Sequence, residues 1–158
     1  MTWLLRAVLA VLVVLIALAG TWLVGMRRKW RPVVDLQRRI NRAVVNPRQL
    51  RSAGTPGAYA GAIHHVGRHS GREYTTPMVP YPTDDGFVVV LPYGPRSDWV
   101  RNVLAAGRAT IDHEGSSYEV VEPEVVPISD APVVFPPSDD RGNRVIGVSE
   151  CLVLHRAP

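Results

Sequence analysis

Residues 7–26, AVLAVLVVLIALAGTWLVGM, run twenty positions without a charge. A helix of that length covers roughly 30 Å, the thickness of the hydrocarbon layer of a bilayer, so the pattern predicts a transmembrane helix. Apolar positions then thin to Val33, Leu36, Ile40 and Val44, spaced three and four apart with arginines between them. This predicts a basic amphipathic helix that Asn46-Pro47 should stop. Its apolar stripe has two outlets, docking on a folded domain or sinking into the lipid boundary. Ser52-Ala53-Gly54-Thr55-Pro56-Gly57 reads as a loop.

Beyond that loop the period drops to two. Strands are predicted at 59–66 and 73–81 around a turn at 67–71, and Pro77, Pro80 and Pro82 mark the second as an edge or bulged strand. Asp84-Asp85-Gly86 is a turn, and 87–91 is an apolar run suited to a central strand. Ser97 is placed to cap a helix with Asp98 in its first turn and Trp99, Val103 and Leu104 on its apolar side, ended by Gly107. Residues 108–113 and 117–126 form a hairpin around Glu114-Gly115, 127–142 read mostly as loop, and 145–155 supply a closing strand. The fold class is therefore mainly β (α+β), a small antiparallel barrel with an inserted helix rather than a parallel sheet. Three units follow: an anchor at 1–26, a basic juxtamembrane helix and linker at 27–57, and the barrel at 58–158.

Charge sharpens the first two units. Trp3, Trp22 and Trp30 fall near the ends of the apolar run, and Arg27, Arg28, Lys29 and Arg31 follow it. Only Arg6 and the amino terminus precede it, so the positive-inside rule places the barrel in the cytoplasm. A cleaved signal peptide is the alternative, since Ala17-Leu18-Ala19 resembles a cleavage site, although the strong charge lies on the wrong side for export. The net charge of +4 is unevenly spread. Residues 27–51 hold nine Arg/Lys against Asp35 (+8), and 52–158 hold eight arginines against thirteen carboxylates (−5). The basic stretch is expected to lie on anionic headgroups, each cation gaining about 1 kcal/mol near the surface. The tether argues against nucleic acid as a partner. The single Cys151 excludes an internal disulfide, and no HExxH or CxxC pattern offers a metal site.

The chain carries no plausible triad, no carboxylate pair in a motif and no GxGxxG after a strand. An enzyme without its own nucleophile or metal can still work if a cofactor carries the reaction, leaving the protein to bind and orient. Within 67–72, Gly67 and Gly71 let backbone amides approach a ligand, and Arg68 and Arg72 offer forked donors for phosphate or carboxylate. A second candidate is 92–101, PYGPRSDWVR, with Gly94, Arg96 and a helix amino terminus. Taken alone, the first fits an ordinary surface turn and Trp99 fits a core residue.

The pieces occur in a telling order: NPRQLR at 46–51, AGTPGAYA at 53–60, VGRHSGREYTTP at 66–77, LPYG at 91–94, DWVRNVLAAG at 98–107 and GVSECLVL at 147–154. This resembles the deazaflavin-dependent nitroreductase and quinone reductase family of actinobacteria, whose split β-barrel is related to the flavin oxidoreductases of pyridoxamine-phosphate-oxidase type. The resemblance covers about residues 42–154. It implies binding of reduced coenzyme F420, or of FMN on the same barrel, and hydride transfer to a quinone-like or nitroaromatic acceptor. It also implies site residues: Gly67, Arg68, His69, Ser70 and Gly71 in the phosphate-gripping turn, Pro77 and Met78 against the ring, and Tyr93, Gly94, Arg96 and Trp99 facing the cofactor. His69 stands where the family has lysine, and the loop before Trp99 is shorter. Tyr93 and Tyr81 are candidate proton donors, and either also suits packing with a bonded hydroxyl. A membrane tether suggests a lipid-soluble acceptor. A non-enzymatic barrel that binds a lipid or cofactor is the remaining alternative, and a homodimer is expected only by analogy with other split barrels.

Overall fold

Thr2–Arg27 forms one continuous helix, α1, in the computed structural model, which describes residues 2–158; Met1, the first residue of the expected anchor, lies outside them. The apolar run of α1 is largely exposed up to Val24, with Gly25 and Met26 buried at its end, and α1 is the one described helix long and apolar enough to cross a membrane. A tight turn with Lys29 at φ 51° reverses the chain into α2, Arg31–Ile40, with a proline in its first turn where a missing amide costs nothing. The two helices pack closely at Gly25, where a Cβ would lie 2.6 Å from Val33 Cγ2.

The amphipathic helix runs past its expected stop. After α2 come a π-helical turn, Asn41–Val45, and a last turn, α3, Asn46–Gln49. A proline ring inside a helix meets the carbonyl four residues back, and widening the turn just ahead of Pro47 relieves that conflict. The stripe of Leu36, Ile40 and Val44 is exposed, so it does not dock on the barrel. The opposite, polar face turns inward.

Seven strands follow: β1 Gly61–Val66, β2 Glu73–Met78, β3 Pro80–Pro82, β4 Gly86–Val90, β5 Arg108–His113, β6 Ser116–Pro127 and β7 Glu150–Arg156. All pairs are antiparallel, in the order β2-β1-β5-β6-β7-β4-β3. The expected strand 73–81 is broken at Val79, and its halves pair with β1 and β4 at opposite edges of the sheet. One residue links the two edges, so the sheet must curl until they meet. The prolines of this segment sit where few ladder donors are needed. A register shift between Val121 and Glu124 bends β6 across the curl, with Glu122 at φ 54°.

Alternation fills both faces of the central strands. Phe87, Val89, Leu152 and Leu154 join Ile63, Ile111 and Val120 inside the curl, together with Val100 and Val103 of α4, Asp98–Ala106. Val88, Cys151 and Val153 point the other way and are covered by Val133 and Phe135. Burial on both faces explains why FVVVL and CLVL read as continuous apolar runs. The inserted helix α4 ends at Gly107 in the left-handed region, φ 69°. Ser97 holds the capping position, but its hydroxyl donates to the Gly94 carbonyl at 3.2 Å instead of accepting from α4.

The segment expected to be mostly loop contains a further helix, α5, Pro137–Ile146. Its signals stand in the sequence: proline in the first turn, Asp139 and Asp140 after it, Arg144 in the last turn and Gly147 beyond. Arg27 at the end of α1 donates to the Arg144 and Val145 carbonyls at 2.9 and 3.0 Å, which ties the apolar helix to α5.

Gly86 marks a tight crossing of β4 and β7, where an added methyl would overlap the Leu154 carbonyl. Gly86→Ala is expected to cost about 2 kcal/mol or more, read as a fall in the thermal midpoint of the detergent-solubilised protein.

Candidate functional site

β1 delivers the chain at Val66 into the turn at 67–72, closed by hydrogen bonds from Gly67 N to Arg72 O and from Gly71 N to Gly67 O, both 2.8 Å. Gly67 has no room for a side chain, since a Cβ would lie 2.5 Å from Ser70 Oγ. Gly71 takes φ 64°, which only glycine adopts at no cost.

Arg68 turns inward rather than out to solvent. Its backbone N and Nη1 donate to Asn102 Oδ1 at 3.2 and 2.9 Å. Both are pure donors, so they fix the amide: Oδ1 faces Arg68 and Nδ2 faces His65 Nδ1 at 3.2 Å. His65 Nδ1 is therefore an acceptor, and Nε2 carries the proton toward Thr76 Oγ1 at 3.1 Å. Desolvation, with a smaller contribution from neighbouring His64, lowers its pKa from 6.5 to about 4.

Asp98, in the first turn of α4, gathers three arginines. Its carboxylate lies 3.6 Å from Arg38, 3.6 Å from Arg42 and 3.5 Å from Arg68. One carboxylate against three guanidiniums leaves the cluster cationic. It also places a negative charge at the helix terminus that the sequence offered to a ligand. Arg68 Nε is buried with no partner among the described residues.

These groups line a cleft of about 720 Å³. Pro77, Met78, Val89, Pro92 and Trp99 form an apolar wall, and Arg38, Asn41, Arg42, Asn46 and Gln49 a polar one. Of the expected site residues, the cleft brings together Gly67, Arg68, His69, Ser70, Pro77, Met78, Tyr93 and Trp99. Gly71, Gly94 and Arg96 do not line it, nor does Arg72. Tyr81 lies elsewhere, edge-on to Phe135, with its hydroxyl donating to Asp139 Oδ2 at 2.8 Å. Burial and that carboxylate push its pKa well up. Tyr93 is half-buried in the cleft wall and accepts a hydrogen bond from Asn41 Nδ2 at 2.6 Å. Burial raises its pKa and the Asn41 bond partly offsets this, so it is protonated at neutral pH.

The polar wall is what sequence reasoning missed. Its signal was the second face of the amphipathic helix, where Arg38, Asn41, Arg42 and Gln49 recur at helical spacing beside the apolar stripe.

The fold and cleft define an α+β protein on a seven-stranded antiparallel half-barrel, with an amphiphilic pocket between one barrel edge and a helix leading from the apolar α1. No family model matches the chain, and no curated protein matches it in sequence. Among solved structures it is similar to an F420 reductase, at 17% identity over 63% of this chain and 87% of the other, with a TM-score of 0.42. It is also similar to an F420-H2 dependent reductase, FDR-A, at 9% identity over 61% and 94% of the two chains, TM-score 0.39. A third is HutZ, the heme storage protein from Vibrio cholerae, at 11% identity over 63% and 82%, TM-score 0.42.

The His65 environment fixes a pH window. The folded pKa lies below the unfolded value, so its contribution to stability is present above about pH 6.5 and is lost as the pH falls toward about 4. The wild-type thermal midpoint should drop across that window, and His65→Gln should lack this part of the slope.

Proposed function

We propose that the protein is a membrane-anchored, cytoplasm-facing oxidoreductase that binds reduced coenzyme F420 and passes its hydride to a lipid-soluble, quinone-like acceptor; nitroaromatic compounds would serve as surrogate acceptors. The carrying observation is the cleft itself, an apolar wall of Pro77, Met78, Val89 and Trp99 next to a cluster of three arginines. A flat aromatic ring suits the first and a phosphate-bearing acidic tail the second. The motif order at 46–107, which resembles the deazaflavin-dependent reductases, supports the same reading. The buried, unpartnered Nε of Arg68 fits the group as well, because it leaves one guanidinium donor unspent beside the cleft.

When bound, the coenzyme supplies the hydride. The chain's own residues position the ring against the acceptor and exclude water. The exposed Leu36, Ile40 and Val44, on the helical segment that follows α1, support seating of that segment in the lipid boundary. The nine cations of 27–51 support a cytoplasmic, anionic leaflet as that surface.

The test is a titration of the full chain in nanodiscs with reduced F420 and, in parallel, with FMN, followed by quinone addition. Tight binding of F420 and quinone-dependent oxidation are expected; binding of neither cofactor rejects an enzymatic role. Arg42 is exposed and, among the described residues, its guanidinium pairs with Asp98 alone, so Arg42→Ala should weaken F420 binding about tenfold while leaving the thermal midpoint unchanged. An unchanged affinity would remove α2 from the tail-binding surface.

A further inference from the structure

A hydrogen-bond chain runs from the end of α1 to the cleft. Trp22 Nε1 lies 3.0 Å from Gln37 Oε1, Gln37 Nε2 lies 2.9 Å from Asn41 Oδ1, and Asn41 Nδ2 lies 2.6 Å from Tyr93 Oη. Its direction is set at one end. An indole N–H only donates, so Gln37 must present its oxygen to Trp22 and its NH2 to Asn41. Asn41 must then present its oxygen to Gln37 and its NH2 to Tyr93. The Tyr93 oxygen ends the chain as an acceptor, and its own proton is left for another partner. The register that brings Trp22 over Gln37 depends on the close packing of Gly25 on Val33, so the chain belongs to the α1–α2 hairpin.

We infer that Trp22, Gln37 and Asn41 are positioning residues that make Tyr93 a hydrogen-bond and proton donor to the ligand in the cleft. The inference rests on the reductase reading for its chemistry and on geometry alone for the direction of the chain. In the proposed reaction a quinone takes up a hydride, two electrons and one proton, and becomes the hydroquinone monoanion. Breaking the Tyr93 O–H bond supplies the second proton and completes the hydroquinone. The tyrosinate, held by the Asn41 N–H, regains its proton from water. The site's donor would thus be set by the seating of an apolar helix that never touches the ligand.

Isosteric changes reverse the chain without emptying it. Gln37→Glu keeps an acceptor for Trp22 but presents an oxygen to Asn41, which turns its NH2 toward Glu and its oxygen toward Tyr93. Asn41→Asp presents an oxygen to Tyr93 directly. In both, the Tyr93 proton is drawn away from the cleft. With full-length protein in nanodiscs and saturating F420, Gln37→Glu and Asn41→Asp should each lower quinone-dependent kcat about a hundredfold, to the level of Tyr93→Phe. Wild-type kcat in either variant overturns the proposal.

The direction of the chain has its own readout. The tyrosine Fermi doublet in the ultraviolet Raman spectrum differs between accepting and donating hydroxyls, and subtracting Tyr93→Phe isolates the signal of Tyr93. Ligand-free wild-type protein should show an accepting hydroxyl and Gln37→Glu a donating one. A donating hydroxyl in the wild type, or no change between the two, overturns the proposal. Absence of F420 binding and turnover in the wild type would instead reject the reductase reading, leaving the Raman comparison to decide the chain.

Discussion

The two edges of the sheet are one piece of chain. Glu73–Met78 pairs with β1 at one end of the strand order and Pro80–Pro82 with β4 at the other, with only Val79 between them. A flat seven-stranded sheet would separate its edges by roughly 29 Å at the usual strand spacing, and the two peptide links from Met78 to Pro80 span about 7 Å at most. Curling is thus a matter of chain length before it is one of packing. The curl creates an inside, which Phe87, Val89, Ile111, Leu152 and Leu154 fill, and α4 supplies Val100 and Val103 to the same cluster. It also delivers Pro77 and Met78 to the cleft, just before the crossing at Val79.

Two carboxamides organise the cleft by the same rule. Asn102 is oriented by donors of Arg68, which fixes the tautomer of His65; Gln37 is oriented by the indole of Trp22, which fixes the direction of bonding at Tyr93. In each case a group that only donates removes the ambiguity of an amide, and the choice propagates to a titratable ring. Neutral His65 is consequently a requirement of the Arg68 turn and has no need of a catalytic role. The turn, α4 and β1 are joined through Asn102, so the inward-facing Arg68 holds these elements together while lining the cleft.

Much of the barrel was legible because its strands carry local signals. The hairpin at Glu114-Gly115, the helix ended by Gly107 and the runs FVVVL and CLVL announced themselves by turn chemistry and burial. The break at Val79 was not legible, since pairing one strand with two distant partners is a long-range property and Pro77, Pro80 and Pro82 announced only an edge or bulged strand. Proline content misled twice. It suggested loop at 137–142, where Pro137 starts a helix, and a stop at Asn46-Pro47, where a π turn carries the helix onward. In the cleft, Gly67 and Arg68 were singled out from the turn's own residues, and Pro77, Met78, Tyr93 and Trp99 only through the family resemblance. The contributions of Arg38 and Asn41 were missed, because attention to the apolar stripe of an amphipathic helix leaves its polar face assigned to solvent by default.

That polar face reconciles the two outlets open to the helix. A stripe docked on the barrel would have buried Leu36, Ile40 and Val44 and turned the arginines outward, away from the cleft. The observed orientation does the reverse: it spends polar side chains on the cleft wall and leaves the apolar stripe uncovered beside α1. An uncovered stripe on a soluble surface is unfavourable, whereas the proposed seating of this segment beside a bilayer would match the stripe with lipid. One short helix would then hold the cleft on one side and the membrane on the other. On the proposed reading, an acceptor dissolved in the bilayer would have the thickness of that helix, about 10 Å, to cross before meeting Tyr93.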